Sequence, residues 1–359
     1  MSNLLVNRLP TRYVHNGSSG SGGFSDVLYC IDSHLGRSVA IKTIRDPDEF
    51  ERLQDEISAL LKLRSKHVVQ VFDIVNYNAS LAIVMEYIDG DDLFETNYHT
   101  QSSEHLLKVL WQIASGISDI HSVGLIHRDI KPNNMKLDRE NIVKIFDFGL
   151  SRDSELNAMT RGFKGTRGFS APEQYAYGEV NFTSAIDVYA FGITALLLAT
   201  SKIPQPLLKM PPNKMPAGCF DCKHLNHYPT LKELFERCLE EVPINRPSMV
   251  EVKHEISKYL LFDKHQAVVV VSGSGKGQEL NSAKRNVTIS SLIGSFEIHY
   301  DGLRFLIQRV TGEVFVNNIP AQSNSEISGA CVIGLGNVNR DSSERNFVTF
   351  DISNPEVTL

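Results

Sequence analysis

The stretch Leu125 to Gly149 reads L-I-H-R-D-I-K-P-N-N-M-K-L-D-R-E-N-I-V-K-I-F-D-F-G. It sets an acid, Asp129, in a polar turn, with Lys131 two places on and Asn134 five places on. Two short apolar runs, Met135 to Leu137 and Ile142 to Phe146, flank a polar turn, and this pattern predicts a hairpin. A second acid, Asp147, follows directly, before Phe148 and Gly149. A proton acceptor, hard oxygen ligands for a metal and a cationic side chain are the groups that phosphoryl transfer from a nucleotide requires.

These residues resemble the eukaryotic-type protein kinases, whose catalytic loop H-R-D-x-K-x-x-N and metal motif D-F-G recur here at Asp129 and Asp147. The resemblance implies that Asp129 accepts the proton of the substrate hydroxyl and that Lys131 stabilises charge on the transferring group. It also implies that Asn134 and Asp147 hold Mg²⁺ and that ATP is the donor. A lysine at the place of Lys131 is the pattern of serine/threonine-specific members, and Pro172-Glu173-Gln174 with its compact loop looks most like bacterial ones.

Other segments fit the same reading in order. Gly20, Gly22, Ser25 and Val27 fit G-x-G-x-x-G-x-V except that serine replaces the third glycine. Glycines let backbone N–H groups approach phosphates without interference from a Cβ. Val39-Ala40-Ile41-Lys42 is a strand-like run ending in lysine, which the resemblance sets against the α- and β-phosphates, with Val27 and Ala40 in the nucleotide-binding set. Apolar Leu53, Ile57, Leu60 and Leu61 predict a helix over 48–63, and Glu56 falls where kinases place the acidic partner of that lysine. Strand-like runs Val68 to Ile74 and Leu81 to Tyr87 follow. The second leads into M-E-Y-I-D-G-D-D-L, which resembles the hinge between kinase lobes. The resemblance implies that Met85 is the gatekeeper, that the backbone of Glu86 and Ile88 bonds the base, and that Asp92 reaches the ribose.

Beyond the hinge the pattern turns helical, with Leu106, Leu107, Leu110, Ile113, Ile117 and Ile120 on one face of 104–123. Strands first and helices after imply an α+β architecture with a cleft between, the bilobal kinase fold. The segment after Gly149 ends G-T-R-G-F-S-A-P-E at Glu173 and resembles an activation segment. In it Thr166 matches the threonine that bridges the catalytic aspartate and lysine. Ser154 and Thr160 are the candidate phosphorylation sites, with Arg128 and Arg152 as phosphate partners. Asp187 opens an apolar helix and matches the aspartate that bonds the catalytic-loop backbone, while Arg246 matches the arginine that pairs with Glu173. A helix over 248–262 closes this domain, giving 13–262 with an N-lobe of about 13–87 and a C-lobe of about 92–262.

From Ala267 to Leu359 the character changes to short β-rich runs separated by turn signals, which predicts a small all-β sandwich over 267–359. G-E-V-F-V-N-N-I-P-A, I-S-G-A-C-V-I-G-L-G and F-V-T-F-D-I-S resemble the last half of a forkhead-associated domain, a phosphothreonine-binding module. The first half departs from that family. Ser290 and Asn317 remain, Lys276 stands for the expected arginine, and the histidine is missing. The resemblance implies a phosphopeptide or protein ligand for this domain, weakened by loss of the planar arginine fork.

Bulk properties bound the remaining classes. At 359 residues with 42% hydrophobic and 22% charged residues, the chain can bury two full cores. A net charge of −6 without a basic block argues against a nucleic-acid partner. No signal peptide and no membrane span are expected, since the longest apolar run, Val188 to Ala199, is short and broken by Gly192. Five scattered cysteines suit a reducing cytoplasm, and C-F-D-C-K-H-L-N-H over 219–227 reads as a polar surface loop rather than a zinc site. Two alternatives stand beside an active protein kinase that phosphorylates its own activation segment. A pseudokinase scaffold is opposed by intact Lys42, Asp129, Asn134 and Asp147, and a small-molecule kinase by the A-P-E segment with Arg246. One position departs from the pattern: counted from Asn134, Lys136 falls where the resemblance sets an aliphatic floor for the base, so either its stem pads the ring or it tunes the site towards a different base.

Overall fold

The structure, a computed structural model, describes residues 9–22, 25–43, 57–77, 80–90, 92–94, 101–148, 168–176, 182–274, 277–353 and 355–357, without the side chains of 18–22, 25 and 26. Two compact units emerge, the division along the chain falling between Ile256 and Ser257.

The first unit begins with an antiparallel sheet. Among the described residues its strands are β1 (Tyr13–Gly22), β2 (Ser25–Asp32), β3 (Arg37–Thr43), β4 (Val71–Tyr77) and β5 (Ser80–Glu86), in the order β1-β2-β3-β5-β4. The V-A-I run of β3 is buried throughout because the strand is central, with β2 on one edge and β5 on the other. Tyr13, Cys30, Val39, Ile41, Val75, Ala82 and Val84 form one apolar cluster on this sheet. A helical stretch over 57–62, α1, lies between β3 and β4.

The predicted strand over 68–74 is shifted along the chain. Val68 makes only a bridge to Ile145, and Val69 donates its amide to the Ile145 carbonyl at 2.9 Å. The apolar run thus serves two pairings, and regular β4 starts at Val71.

The helical part comprises α2 (Ser103–Ser122), α3 (Ala185–Thr200), α4 (Pro229–Cys238) and α5 (Met249–Leu260). Ser102 caps α2 by accepting from the His105 amide at 3.1 Å, which satisfies one of the unpaired donors of the first turn. The apolar face predicted for α2 is buried as expected. Helix α3 is buried on nearly every side, as its lack of polar residues requires. Gly192 permits the approach of the end of α4: a Cβ there would lie 2.7 Å from Leu239 Cδ2 and 2.9 Å from Cys238 Cβ. The short hairpin of β6 (Met135–Leu137) and β7 (Val143–Ile145) lies between α2 and α3 in sequence. Among the described residues no helix is long and apolar enough to cross a membrane.

The loop over 219–227 differs from the polar surface loop expected. Phe220 and Leu225 are fully buried, and the Phe220 ring lies 5.7 Å from that of Phe235. Among the described residues no group of three or more His, Cys, Asp or Glu converges as a metal set, and the Cys219 thiol donates to the Pro216 carbonyl at 2.8 Å.

The second unit is a sandwich of two antiparallel sheets. One has the order β10-β11-β12-β15, with β10 (Asn286–Ser290), β11 (Gly294–Tyr300), β12 (Phe305–Gly312) and β15 (Ser325–Glu326). The other runs β14-β13-β16-β17-β8-β9, with β8 (Gln266–Val271), β9 (Gly277–Leu280), β13 (Val314–Val316), β14 (Ile319–Pro320), β16 (Cys331–Leu335) and β17 (Asn346–Ser353). Inward residues of both sheets, among them Phe296, Ile298, Phe305, Val269, Ile333 and Phe350, form one core. Phe262 and Asp263, which follow α5, are held by this second unit. A Cβ on Gly302 would lie 2.4 Å from the Phe262 ring, the Asp263 amide donates to the Gly302 carbonyl at 2.8 Å, and Arg285 Nη2 donates to both oxygens of the Asp263 carboxylate at 2.7 Å.

Candidate active site

The loop after α2 is held from behind by a residue far along the chain. Asp187, buried at the start of α3, accepts from the amides of His127 and Arg128 at 2.8 Å each, and its Oδ2 lies 3.0 Å from His121 Nε2. One carboxylate therefore fixes two consecutive peptide units, and Arg128 takes the left-handed conformation, φ 67°. Side chains rarely adopt that region, so the surrounding contacts must maintain it.

His127 reinforces the same loop. Its Nδ1 faces the Asp129 amide at 3.3 Å, so Nε2 carries the proton and donates to the Phe146 carbonyl at 3.0 Å. Its ring packs 4.9 Å from that of Phe148, and complete burial pushes its pKa below the ordinary histidine value. The neutral imidazole thus ties the loop to the strand that delivers Asp147.

Asp129, Lys131 and Asn134 come together in the loop. Lys131 Nζ lies 2.9 Å from Asp129 Oδ2, and Asn134 Nδ2 donates at 2.8 Å to both the Asp129 carbonyl and Oδ2. The Phe146 amide donates to the Asn134 carbonyl at 3.0 Å, so the β6–β7 hairpin returns the chain to where it left. Asp147 follows with φ 63° and a half-exposed carboxylate, to which the Lys42 ammonium donates.

An open cleft lies beside these groups, lined by Val27, Tyr29, Ala40, Lys42, Val69, Met85, Glu86, Tyr87, Ile88, Lys136, Phe146 and Asp147. Most of the predicted nucleotide-binding residues are in this set. Gly20 and Gly22 lie on β1, paired across the hairpin with Val27 and Ser25. Asp92 is not among the lining residues: it bridges Lys136 through the backbone, and its Oδ1 accepts from the Phe94 amide at 2.9 Å. Glu56, Thr166, Ser154, Thr160 and Arg152 lie outside the described residues.

Gly90 lets the chain leaving β5 pass close to β6. A Cβ there would sit 2.1 Å from the Leu137 carbonyl oxygen, so the chain leaving β5 touches the backbone of β6. Beneath the A-P-E turn, Arg246 forks onto Glu173 with Nη1–Oε1 at 2.6 Å and Nη2–Oε2 at 2.9 Å.

Two contributors were not read from the sequence. Lys144 binds Glu86 at 2.9 Å, and its only sequence signal is its place opposite Lys136 in the hairpin. His121 has no sequence signal for its contact with Asp187, which lies 66 residues on.

Comparison with known proteins agrees with this geometry. The family described as protein kinase domain matches residues 13–257. A probable serine/threonine-protein kinase, pknA2 of Bifidobacterium longum, is 33% identical over 195 residues, covering 51% of this chain and 26% of its own length. A serine/threonine-protein kinase of Corynebacterium efficiens, drp72, is 35% identical over 199 residues, covering 52% of this chain and 38% of its own length. The chain thus spans well under half of these curated relatives. The crystal structure of Rad53 residues 1–466 in complex with AMP-PNP superposes with a TM-score of 0.54 at 24% identity, covering 67% of this chain and 64% of that one, and shares the fold. The matched region takes in well over half of the sequence and contains every group of the site, and the chain belongs to the protein kinase domain family.

Proposed function

We propose that this chain is an ATP-dependent serine/threonine protein kinase that transfers the γ-phosphoryl group to hydroxyls of protein substrates. The observation that carries this reading is the convergence of Lys131 and Asn134 on Asp129, on a loop held by Asp187, beside a cleft walled by Lys42 and Asp147. As the substrate oxygen bonds to phosphorus, its proton passes to Asp129. The bond to the bridging oxygen breaks, and ADP leaves with the electron pair. Lys131 faces the transferring group and Lys42 the other phosphates.

The donor set suits Mg²⁺. Asn134 commits its amide nitrogen to Asp129, so its Oδ1, together with the carboxylate of Asp147, would hold the cation. Bound there, the ion would neutralise phosphate charge. Radiolabelled ATP with a generic protein substrate tests the reading: incorporation by wild type and its loss in both Asp129→Asn and Asp147→Ala is expected. Equal incorporation in all three would refute it.

Phosphorylation of its own segment at Ser154 or Thr160 belongs to the same reading, and mass mapping after incubation with ATP tests it. The second unit is read as a forkhead-associated-like module for partner recognition or regulation. The three segments that carry that resemblance form β13–β14, β16 and β17, neighbours in one sheet. Asn317, with φ 47°, spends its Oδ1 on the Val332 amide at 3.0 Å, a contact that holds the hairpin to β16. Lys276 lies outside the described residues. Binding of phosphothreonine peptides by the full chain, but not of their unphosphorylated forms, tests phosphopeptide recognition. A cytoplasmic location is proposed from five cysteines without a disulfide, which suit a reducing compartment, and cell fractionation tests it.

A further inference from the structure

The hinge segment that follows β5 is tied to the β6–β7 hairpin at both of its ends. At the far end, Gly90 packs on the Leu137 carbonyl, Asp92 bridges Lys136, and the Leu93 amide donates to the Met135 carbonyl at 2.9 Å. Those are backbone contacts. At the near end the tie is made by side chains. Lys144, on β7, reaches Glu86 with Nζ 2.9 Å from Oε1 and 3.1 Å from Oε2. The same carboxylate accepts from the Gln70 amide at 3.1 Å, while the Glu86 amide donates to the Gln70 carbonyl at 2.9 Å. The segment 67–70 is in turn paired with β7. The Val69 amide donates to the Ile145 carbonyl at 2.9 Å, and the Ile145 amide donates to the His67 carbonyl at 2.8 Å. The side chains of Lys144 and Glu86 keep only 14% and 29% of their exposure, so their attraction is screened less than that of a surface pair.

Glu86 and Asp147 both line the cleft, and Lys144 stands three residues before Asp147 in the chain. We propose that the Glu86–Lys144 ion pair is a positioning pair that sets the spacing between the hinge, where the base binds, and Asp147 at the phosphate end of the cleft. This rests on the nucleotide-binding reading above. Neither side chain has to touch the nucleotide, because the contact fixes the Glu86 peptide relative to the strand that delivers Asp147. A ligand that spans both ends, such as ATP, senses that spacing. Adenosine, which reaches only the base end, does not. Charged residues in direct contact are coupled strongly enough to support an effect of about fivefold in affinity.

Calorimetric titration of wild type, Lys144→Met, Glu86→Gln and Lys144→Arg with ATP and Mg²⁺, and with adenosine, tests this. The fold of each variant is checked by the emission of Trp111. Lys144→Met and Glu86→Gln should each weaken ATP about fivefold and leave adenosine within about twofold, while Lys144→Arg stays near wild type. Both losses have the same sign because position is lost in each. A direct action of charge on the phosphates would move the two variants in opposite directions, since one removes a cation and the other an anion, and that result would overturn the proposal. ATP affinity unchanged in both variants, or parallel loss of adenosine and ATP, would also overturn it and leave the kinase reading standing. Should Lys144→Met fail to fold, the isosteric Glu86→Gln carries the same test through its ATP and adenosine affinities. Wild type that binds no ATP would overturn the nucleotide reading and this proposal with it.

Discussion

Replacing Arg246 with alanine should destabilise the first unit by about 3 kcal/mol. The Arg246 side chain is fully buried, whereas Glu173 is 19% exposed. The guanidinium makes two bonds to that carboxylate and donates to the carbonyls of Ala185 at 2.9 Å, Glu240 at 2.8 Å and Glu241 at 3.3 Å, with Tyr189 stacked 5.0 Å away. Removing one partner of a buried ion pair typically costs about 3–5 kcal/mol, because the other charge is left without compensation. Glu173 can recover some hydration through its exposed edge, which sets the expectation at the lower end. Arg246→Lys keeps the charge but cannot reproduce the planar fork, so it should restore less than half of the loss. Urea unfolding followed by tryptophan emission is the assay, with the shift in midpoint converted through the slope. The only tryptophan of the chain, Trp111, lies on α2, so the signal reports the first unit whatever the second does. A loss below about 1 kcal/mol in Arg246→Ala, or full rescue by lysine, would refute the reasoning.

Two further outcomes follow from the same geometry. Gly90→Ala drives a methyl group into the Leu137 carbonyl, a backbone atom that cannot move aside, so the hinge must shift; ATP affinity and melting temperature should both fall, and unchanged values of both would contradict the close approach. His67, buried with its Nδ1 3.3 Å from the Val143 carbonyl, has its pKa pushed down to about 4, chiefly by burial. The folded state thus holds it neutral while the unfolded chain takes up a proton below about 6.5, so stability falls as pH drops from about 6.5 towards 4. The loss should be on the order of 2 kcal/mol by about pH 5. His67→Gln should flatten this slope in urea titrations at several pH values, and an identical slope in both proteins would exclude the assignment.

How much was legible varied with the kind of interaction. In the second unit, N-V-T-I-S of β10 alternates apolar and polar residues across a half-buried sheet, a pattern legible in sequence. Strands β9, β14 and β15 are short; G-Q-E-L and S-E carry little apolar signal, and they are strands because a neighbour supplies the hydrogen bonds. The start of β4 was misjudged for a related reason. Val68 and Val69 are apolar because they pack and pair against Ile145, not because they continue the strand.

At the site, the sequence by itself determined which groups are present. Phosphoryl transfer needs an acid, a cation and hard oxygen ligands in close order, and a loop followed by a hairpin supplies them within 25 residues, Leu125 to Gly149. It also held the pairing of Glu173 with Arg246, through motifs that stand 73 residues apart. Only the tertiary structure decided where the charges balance. That Lys144 takes Glu86, that Lys42 takes Asp147, and that Lys136 lies beside Phe146 all depend on strands from distant parts of the chain meeting around one cleft. A pattern of residue types can specify a local arrangement of ligands, but the net charge of a cavity is a sum over walls that only folding brings together.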